Sequence, residues 1–433
     1  MRKIFVSMIV VLLLVAGCSK KPAEPENKKL TVYGLESGYG KGAWEEVVKA
    51  FEDRYEMEVE LVMEKNIAEI LLPKLQSGEA PDVVYLALDN GDAPLTNTLV
   101  TEKEILDITD VLDMDVSDEG VKVKDKILPG MLDSNRVKPY GDDKAYLAPM
   151  FYAPLGMFYN ANLFEEKGWE VPTTWDEMFA LGDKAKAEGI SLFTYPITGY
   201  FDGFFGSLLN VTAGPEMYAK LMAYDADAWN DPKTKEAFEL IGKLAEYVHP
   251  NTVAQANKEG FTKNQQLILE NEALFIPNGT WLPEEMKDAP RVDGFEWGFA
   301  PIPAVGEGDR YASTFTEQVY IPKGAENVDG AKQFISFLYS DEAAKIFFNN
   351  GEAVQPIVGS DKLMGEDNVL STYYSIFTGN VKTNTTGFNA AEPVEGVNLK
   401  DVLYGNINSI VNGDLTVDEW HQEVVEVMGR FNQ

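Results

Sequence analysis

The sequence predicts an α/β fold built on a parallel, doubly wound sheet. Over the first third of the chain, short apolar strand patterns alternate with amphipathic helical patterns. An unbroken apolar run at 83–88 follows the turn-forming residues Gly78 and Pro81, which is typical of a buried parallel strand. The length of 433 residues indicates about two such domains.

The N-terminus has the pattern of a processing signal. Arg2 and Lys3 precede an apolar stretch at 4–15 that is too short to span a membrane comfortably. Small residues then lead to Cys18, and this arrangement resembles the lipobox of bacterial lipoproteins. The resemblance implies a signal peptide at 1–17, lipid attachment at Cys18 and a polar linker at 18–28. A plain secretory peptide is the alternative. Because Cys18 is the only cysteine, the chain can form no internal disulfide.

The charge balance excludes two classes of ligand. Acidic residues outnumber basic ones 70 to 37, for a formal net charge of −33. Such a field repels nucleic acid and anionic lipid headgroups. His249 and His421 have no neighbouring Cys or His in the sequence, so we expect no zinc site. We expect no other metal and no cofactor.

The loops that follow the first predicted strands carry the first candidate ligand contacts. The strand at 30–33 leads into a glycine-rich loop at 34–42, which lacks the spacing of a P-loop or a Rossmann motif. This loop places Glu36 and Tyr39 at a strand end. Asp89 and Asn90 follow the buried run at 83–88, where ligands of open α/β sheets bind.

Two helices of this region carry further predictions. The helix at 43–55 has an apolar face that includes Trp44, which favours a core position for that side chain. Pro73 lies inside the helical pattern at 67–75 and is expected to kink that helix or end it early.

The stretch at 146–160 is apolar and aromatic, with Pro149 and Pro154 at edge or hinge positions and Tyr152 between them. Asn160 then starts a short helix, and Thr174 caps the next one. On pattern alone, this is either an ordinary buried strand followed by a helix or a strand that passes from one globular half to another.

Three later segments supply the remaining candidates. The loop predicted at 198–205 offers Tyr200 and Asp202 as binding residues, whereas Phe204 and Phe205 are expected in the core. A strand at 271–281 delivers Asn278 and Trp281 at its tip. A strand at 313–322 has a polar inner edge with Glu317 and Gln318, and a long helical region follows at 327–349.

The ordered motifs in 146–177, together with those at 77–83, 271–281 and 331–343, resemble extracellular solute-binding proteins of the maltose-binding class. Those proteins are the capture subunits of ABC-type sugar importers. The resemblance implies a periplasmic-binding-protein-like fold of type II: two doubly wound lobes, joined by three hinge crossings, with a ligand cleft between them.

The resemblance also implies lobe boundaries and partners. One lobe would take 29–149 and 304–353, and the other 150–303 and 354–433. The protein would be a monomer on the extracytoplasmic face of the cell membrane, attached only through its lipid, and would deliver sugar to ABC permease subunits.

The candidate residues suit a neutral, hydroxyl-rich ligand, because sugars need flat aromatics beside fixed acceptors and amides. No Arg or Lys cluster accompanies them, which argues against an anionic ligand. Their mixture of aromatics and carboxylates also fits an amino sugar or a short oligosaccharide, and the resemblance implies that Trp281 stacks on the sugar. The candidates are Glu36, Tyr39, Asp89, Asn90, Tyr152, Tyr200, Asp202, Asn278, Trp281, Glu317 and Gln318.

Two other classes of function compete with sugar capture. A surface glycoside hydrolase would also need aromatics and paired carboxylates, for which Glu36 and Glu317 are available. No sequence element places those two at working distance, so we expect no enzyme. A structural or adhesive lipoprotein would not need polar loops at its strand ends.

Overall fold

The structure is a computed structural model. It describes residues 28–36, 39–88, 95–134, 136–197, 200–257, 259–365, 368–377, 380–385, 387–392 and 394–431. The predictions for the signal peptide, Cys18, Asp89 and Asn90 lie outside these residues. Within them, no helix combines the length and the apolar character needed to cross a membrane.

The strands in the described residues form one mixed sheet. They are β1 (Lys29–Leu35), β2 (Glu58–Glu64), β3 (Val83–Tyr85), β4 (Ala148–Asn160), β5 (Ser191–Phe193), β6 (Ala273–Gly279), β7 (Trp297–Ala300), β8 (Arg310–Tyr320) and β9 (Val381–Thr385).

The helices flank this sheet. They are α1 (Gly42–Tyr55), α2 (Ile67–Ser77), α3 (Leu95–Thr101), α4 (Thr109–Leu112), α5 (Val123–Lys126), α6 (Ala161–Lys167), α7 (Trp175–Ala187), α8 (Phe201–Ala213), α9 (Pro215–Met222), α10 (Ala226–Trp229), α11 (Pro232–Ala245), α12 (Thr252–Gln255), α13 (Phe261–Leu269), α14 (Leu282–Glu285), α15 (Val328–Leu338), α16 (Asp341–Gly351), α17 (Ser360–Leu363), α18 (Val369–Tyr374), α19 (Ile407–Asn412) and α20 (Val417–Arg430). A 3₁₀ turn at Met131–Asp133 and a π-helical turn at Asp401–Gly405 complete the set.

The sheet has the order β2-β1-β3-β8-β4-β6-β5. β1 pairs in parallel with β2 and β3, and β5 pairs in parallel with β6. Between these two parallel blocks, β8 and β4 run antiparallel to each other and to their outer neighbours. Parallel pairing is thus found in the two blocks and between β8 and β9, whereas the strands that connect the blocks pair antiparallel because the chain passes between the blocks in both directions.

The long strand β4 lies between β8 and the second block. Its first half pairs with β8, with Ala148 beside Val319, and its second half pairs with β6 and β7. β8 runs back beside β4 in the opposite direction. A third segment joins them at Val354, whose carbonyl accepts from the backbone N–H of Tyr152 in β4 over 3.0 Å. Three separate segments thus meet near the middle of the sheet.

Buried aromatic side chains hold each block to its helices. Trp44 on α1 is 1% exposed, and its ring centroid lies 4.7 Å from that of Tyr85 in β3. On the second block, the ring centroid of Phe204 on α8 lies 5.2 Å from that of Phe193 in β5, and Phe204 and Phe205 are both buried. The core positions predicted for Trp44, Phe204 and Phe205 are confirmed.

Two local predictions were wrong in detail. α2 does not end at Pro73 but continues to Ser77, because the proline lies on the exposed side, where water can bond the carbonyl that it leaves unpaired. A kink at Pro73 stays a prediction. The loop predicted at 198–205 is replaced from Phe201 onward by the first turn of α8. The helical region predicted at 327–349 is present as two helices, and the side chain of Ser340 caps the second, α16, by accepting from the N–H of Ala343.

The cap predicted at Thr174 is present. Its hydroxyl accepts from the N–H of Glu177, and the Glu177 carboxylate accepts in return from the N–H of Thr174. This reciprocal pair satisfies two amides that would otherwise lack partners at the start of α7.

Replacing Thr174 by alanine is expected to lower the free energy of unfolding by about 1 kcal/mol, because the cap oxygen is lost. Urea denaturation followed by circular dichroism measures the change. Thr174→Ser keeps the oxygen and should unfold at nearly the wild-type urea concentration. Equal stability of all three proteins would contradict the capping role.

Candidate functional site

Four of the predicted residues come together around one cavity of about 320 Å³. Tyr200 and Asp202 reach it from the start of α8, and Asn278 and Trp281 reach it from the end of β6. The complete lining is Leu155, Gly156, Ile197, Tyr200, Asp202, Phe204, Pro277, Asn278, Trp281 and Phe315. We call this the Trp281 cavity.

The position of the Trp281 ring depends on Gly279. A Cβ atom on residue 279 would lie 2.2 Å from the Cη2 of the Trp281 indole, so only glycine allows the ring to lie over the backbone there. The ring of Tyr200 stands 6.2 Å from that of Trp281, inclined by 53°. Both side chains are half-buried, so one aromatic surface stays open to the cavity.

The start of α8 approaches β4 closely. A Cβ on residue 203 would come within 2.4 Å of the Cδ1 of Leu155, so Gly203 permits this contact. The approach brings Asp202, in the first turn of α8, into the cavity wall. The Oδ1 of Asp202 accepts from the N–H of Gly203 over 2.6 Å.

Asn278 supplies an amide to the same wall. It is 3% exposed, and its Oδ1 accepts from the N–H of Gly279 over 2.8 Å. Its Nδ2 is buried and has no hydrogen-bond partner among the residues that the structure describes. A buried donor without a partner costs free energy.

Phe315 lines the cavity from β8 and is 38% exposed. The sequence reasoning missed it, although strand alternation would have placed it on the same face as Glu317, two residues further on. Leu155, Ile197 and Pro277 were missed as well, and their sequence context carries no signal for a binding role.

A second group of predicted residues surrounds Glu317 on β8. Glu317 is 7% exposed, and the hydroxyl of Tyr85 donates to its carboxylate. Burial raises the pKa of Glu317 to about 7, and the bond from Tyr85 offsets part of the rise. Burial also raises the pKa of the Tyr39 hydroxyl, and the charge of nearby Glu317 raises it further.

Tyr374 is a buried residue near Tyr39. Its hydroxyl donates to the carbonyl of Tyr152 over 2.9 Å. Burial raises the pKa of Tyr374, the neighbouring Tyr39 and Tyr152 hydroxyls add to the rise, and a hydrogen bond with Thr280 opposes it.

The remaining candidates lie elsewhere. Tyr152 is 1% exposed, with its hydroxyl 3.3 Å from the Oγ of Ser360. Gln318 is also buried, accepting from the N–H of Leu88 and donating to the carbonyl of Thr316, each over 2.8 Å. Glu36 is half-buried just after β1. None of the three lines the Trp281 cavity, and their contact with ligand stays a prediction.

A larger cavity of about 440 Å³ lies between β9, α9 and the segment 128–136. It contains none of the candidate residues, and Arg136 and Lys382 are among its lining. We place the candidate site at the smaller cavity, because aromatic faces, a carboxylate and an amide converge there. In the described ranges of the chain, no three or more Cys, His, Asp or Glu side chains group as metal ligands.

Comparison with known proteins identifies the family. The model of the bacterial extracellular solute-binding protein family matches residues 37–345. The chain belongs to this family. The resemblance inferred from the sequence motifs is thus confirmed.

Three relatives illustrate the similarity. The diacetylchitobiose binding protein NgcE of Streptomyces coelicolor is 27% identical over 297 residues, which cover 65% of this chain and 59% of that protein. The multiple sugar-binding protein of Streptococcus mutans is 22% identical over 78% of each chain. The structure of apo RafE from Streptococcus pneumoniae superimposes with a TM-score of 0.71 at 18% identity, covering 96% of this chain and 100% of that one.

The solute-binding protein therefore has the periplasmic-binding-protein-like fold of type II that the sequence predicted. The structural likeness shows the fold, and the ligand has to be argued from the side chains of the cavity.

Proposed function

We propose that the protein captures an uncharged sugar or oligosaccharide between two lobes and delivers it, chemically unchanged, to the permease subunits of an ABC importer. The observation that carries the proposal is the Trp281 cavity. The rings of Tyr200, Trp281 and Phe315 offer flat surfaces for the apolar faces of a sugar. Asp202 offers an acceptor for its hydroxyl groups, and the polar side chain of Asn278 lies in the same wall.

The side chains that line the Trp281 cavity include few charged groups, which supports an uncharged ligand. Asp202 is the only ionisable acid and there is no Lys or Arg among the residues described around the cavity. A phosphate or carboxylate ligand would need charge-assisted donors, for which a fork of arginine is the usual source. Two of the protein's relatives, the diacetylchitobiose binding protein NgcE and the multiple sugar-binding protein, are named for sugar binding, which supports sugar capture.

In this proposal the residues 29–149 and 304–353 form one lobe, and 150–303 and 354–433 form the other. β4 and β8 run between the two parallel blocks, which supports a hinge there. The Trp281 cavity would belong to the second lobe. Glu36, Tyr39 and Glu317 would contribute from the first lobe when the lobes close, together with Asp89 and Asn90.

We also propose that the protein is attached to the cell membrane through a lipid. After removal of the signal peptide at 1–17, a lipid on Cys18 would hold the protein at the outer face of the cell membrane through the linker at 18–28. The protein would act there as a monomer. Cys18→Ser is expected to release it from the membrane into the medium.

Thermal melting of the protein without its tether, against a panel of mono- and oligosaccharides, tests the function. A sugar at a hundred times its dissociation constant should add about 2.7 kcal/mol to the free energy of unfolding. Glucuronate and galacturonate serve as anionic controls and should give no shift. Absence of a shift with every neutral sugar would contradict the proposal.

Chromatography of the same sugars after incubation tests the hydrolase alternative. A glycosidase needs two carboxylates about 5–9.5 Å apart with access to the glycosidic bond. Glu317 is buried and accepts a hydrogen bond from Tyr85, so its carboxylate lacks the access to a glycosidic bond that catalysis needs. Each sugar should be recovered intact, and release of monosaccharide would overturn the proposal.

A further inference from the structure

We propose that Ser313, a buried residue of β8, is a positioning residue for sugar capture, because it fixes the start of α8 and thereby holds Asp202 in the wall of the Trp281 cavity. The inference rests on the proposed function and adds a residue that does not itself line the cavity. It follows from a closed set of hydrogen bonds that joins β8, α8 and β9.

The hydroxyl of Ser313 bonds the backbone of α8 directly. Ser313 is fully buried, and its Oγ donates to the carbonyl of Gly203 over 2.8 Å. The N–H of Gly203 donates to the Oδ1 of Asp202 over 2.6 Å. The backbone of Gly203 is therefore bonded to β8 through its carbonyl and to the cavity carboxylate through its N–H.

Ser207, one turn further along α8, closes this set of bonds. Its Oγ lies 2.7 Å from the Oγ of Ser313 and accepts from the backbone N–H of Ser313 over 2.9 Å. Because the Ser313 hydroxyl directs its one proton at Gly203, Ser207 is the donor between the two hydroxyls. Each hydroxyl thus donates one hydrogen bond and accepts at least one.

Asn384 holds the same oxygen atom from β9. Its Nδ2 donates to the Oγ of Ser313 over 2.8 Å, and the two residues are neighbours in the parallel pairing of β8 with β9. Buried polar side chains from three elements therefore meet at the Ser313 hydroxyl. Such groups are costly to leave without partners, so the bonds hold α8 in one position relative to β8.

The face of β8 that carries Ser313 leads into the Trp281 cavity. Phe315 follows Ser313 by two residues, lies on the same face of the strand and lines the cavity. Leu155 of β4 also lines the cavity and lies so close to Gly203 that a Cβ there would come within 2.4 Å of its Cδ1. A shift of α8 along β4 and β8 would therefore move Asp202 relative to the rest of the cavity wall.

Ser313→Ala removes the hydroxyl that bonds Gly203 and keeps a small side chain. We expect the dissociation constant of the folded protein for sugar to rise at least tenfold, because Asp202 is no longer held in the cavity wall. Isothermal titration with maltose, cellobiose, lactose and raffinose measures the change for whichever sugar binds the wild type most tightly. Unchanged affinity would overturn the inference and leave the proposed function standing. If none of the four sugars binds the wild type, the proposed function fails and the inference fails with it.

Ser336→Ala is the matched control, because it removes a buried serine hydroxyl on α15, far along the chain from the cavity. Ser336 is 4% exposed, and its Oγ donates to the carbonyl of Asp115 over 3.3 Å. We expect this variant to unfold at a lower urea concentration and to bind sugar with wild-type affinity. If Ser313→Ala changes stability and affinity only as Ser336→Ala does, Ser313 is a structural residue and the inference is wrong.

A double-mutant cycle tests whether Ser313 acts through Asp202. Asp202→Asn alone should weaken binding about tenfold, because a neutral amide replaces the charged acceptor. In that background we expect Ser313→Ala to weaken binding by less than about threefold further, since the side chain that it positions already contributes little. The same tenfold loss in both backgrounds, or wild-type affinity of Asp202→Asn, would contradict the positioning of Asp202 by Ser313.

Gly203→Ala displaces the same turn of α8 without removing a hydroxyl, and it applies also if Ser313→Ala does not fold. The added methyl group would meet Leu155 at 2.4 Å, so the start of α8 has to move away from β4. We expect the affinity for the same sugar to fall at least fivefold while the protein stays folded. Wild-type affinity of Gly203→Ala would contradict the dependence of the site on the position of α8.

Discussion

Glu317→Gln is expected to stabilise the ligand-free protein above pH 7 by up to about 3 kcal/mol and to leave its stability unchanged below pH 4.5. The carboxyl is 7% exposed, and burial raises its pKa from 4.5 to about 7. Glutamine keeps the shape of the side chain and can still accept from the hydroxyl of Tyr85. The substitution therefore removes the ionisable proton of residue 317 and keeps the shape of the side chain and its hydrogen bond with Tyr85.

The sign of this stability difference follows from the number of protons that the native and unfolded states bind at residue 317. Below pH 4.5 the native and unfolded states both hold the proton on residue 317. Between pH 4.5 and about 7 the native state keeps it while the unfolded state loses it, so the stability of the wild type falls as the pH rises. Above pH 7 the buried carboxylate is charged, and the full cost of its desolvation is present.

Urea denaturation of both proteins at intervals from pH 4 to pH 9 measures this difference. Other carboxylates titrate in the same range but are common to both proteins, so the difference between the two curves isolates residue 317. Glu79→Gln, at a side chain that is 72% exposed, is the control and should shift stability by at most about 0.5 kcal/mol at any pH. Parallel curves for wild type and Glu317→Gln would contradict the buried, proton-binding carboxyl.

Local sequence signals predicted much of the fold. The cap at Thr174 and the core face with Trp44 depend on residues within one or two turns, and such patterns are visible in the chain itself. The mixed sheet was not predicted in detail, because the antiparallel pairing of Val319 with Ala148 joins residues far apart in sequence. The helix through Pro73 also depends on context, since only the fold shows that its exposed face tolerates the missing hydrogen bond.

The sequence predicted the site residues that lie at the ends of strands or in the segments that follow them. Asn278 lies at the end of β6, Trp281 just after it, and Tyr200 and Asp202 in the segment that follows the parallel strand β5; the four meet around one cavity. Tyr152 could not be placed from the pattern, because an aromatic residue in an apolar strand faces either a cleft or the core with equal ease. Its hydroxyl faces Ser360 in the core.

Trp281→Ala is expected to weaken sugar binding by about thirtyfold, equivalent to about 2 kcal/mol, while the protein stays folded. The indole is half-buried over Gly279 and forms, with Tyr200, the open aromatic surface of the cavity. Its removal deletes the largest flat face available to a sugar ring. Trp281→Phe keeps a smaller flat face and should lie between alanine and wild type in affinity.

A core tryptophan in the other parallel block provides the control. Trp44 is 1% exposed, and its ring centroid lies 4.7 Å from that of Tyr85 and 5.0 Å from that of Phe347. Trp44→Ala should therefore lower the free energy of unfolding by about 3–5 kcal/mol. Titration with the sugar that gives the largest thermal shift, combined with urea denaturation, separates the two roles. If Trp281→Ala unfolds as readily as Trp44→Ala and its folded fraction binds that sugar normally, Trp281 stabilises the core and the aromatic surface is not the binding surface.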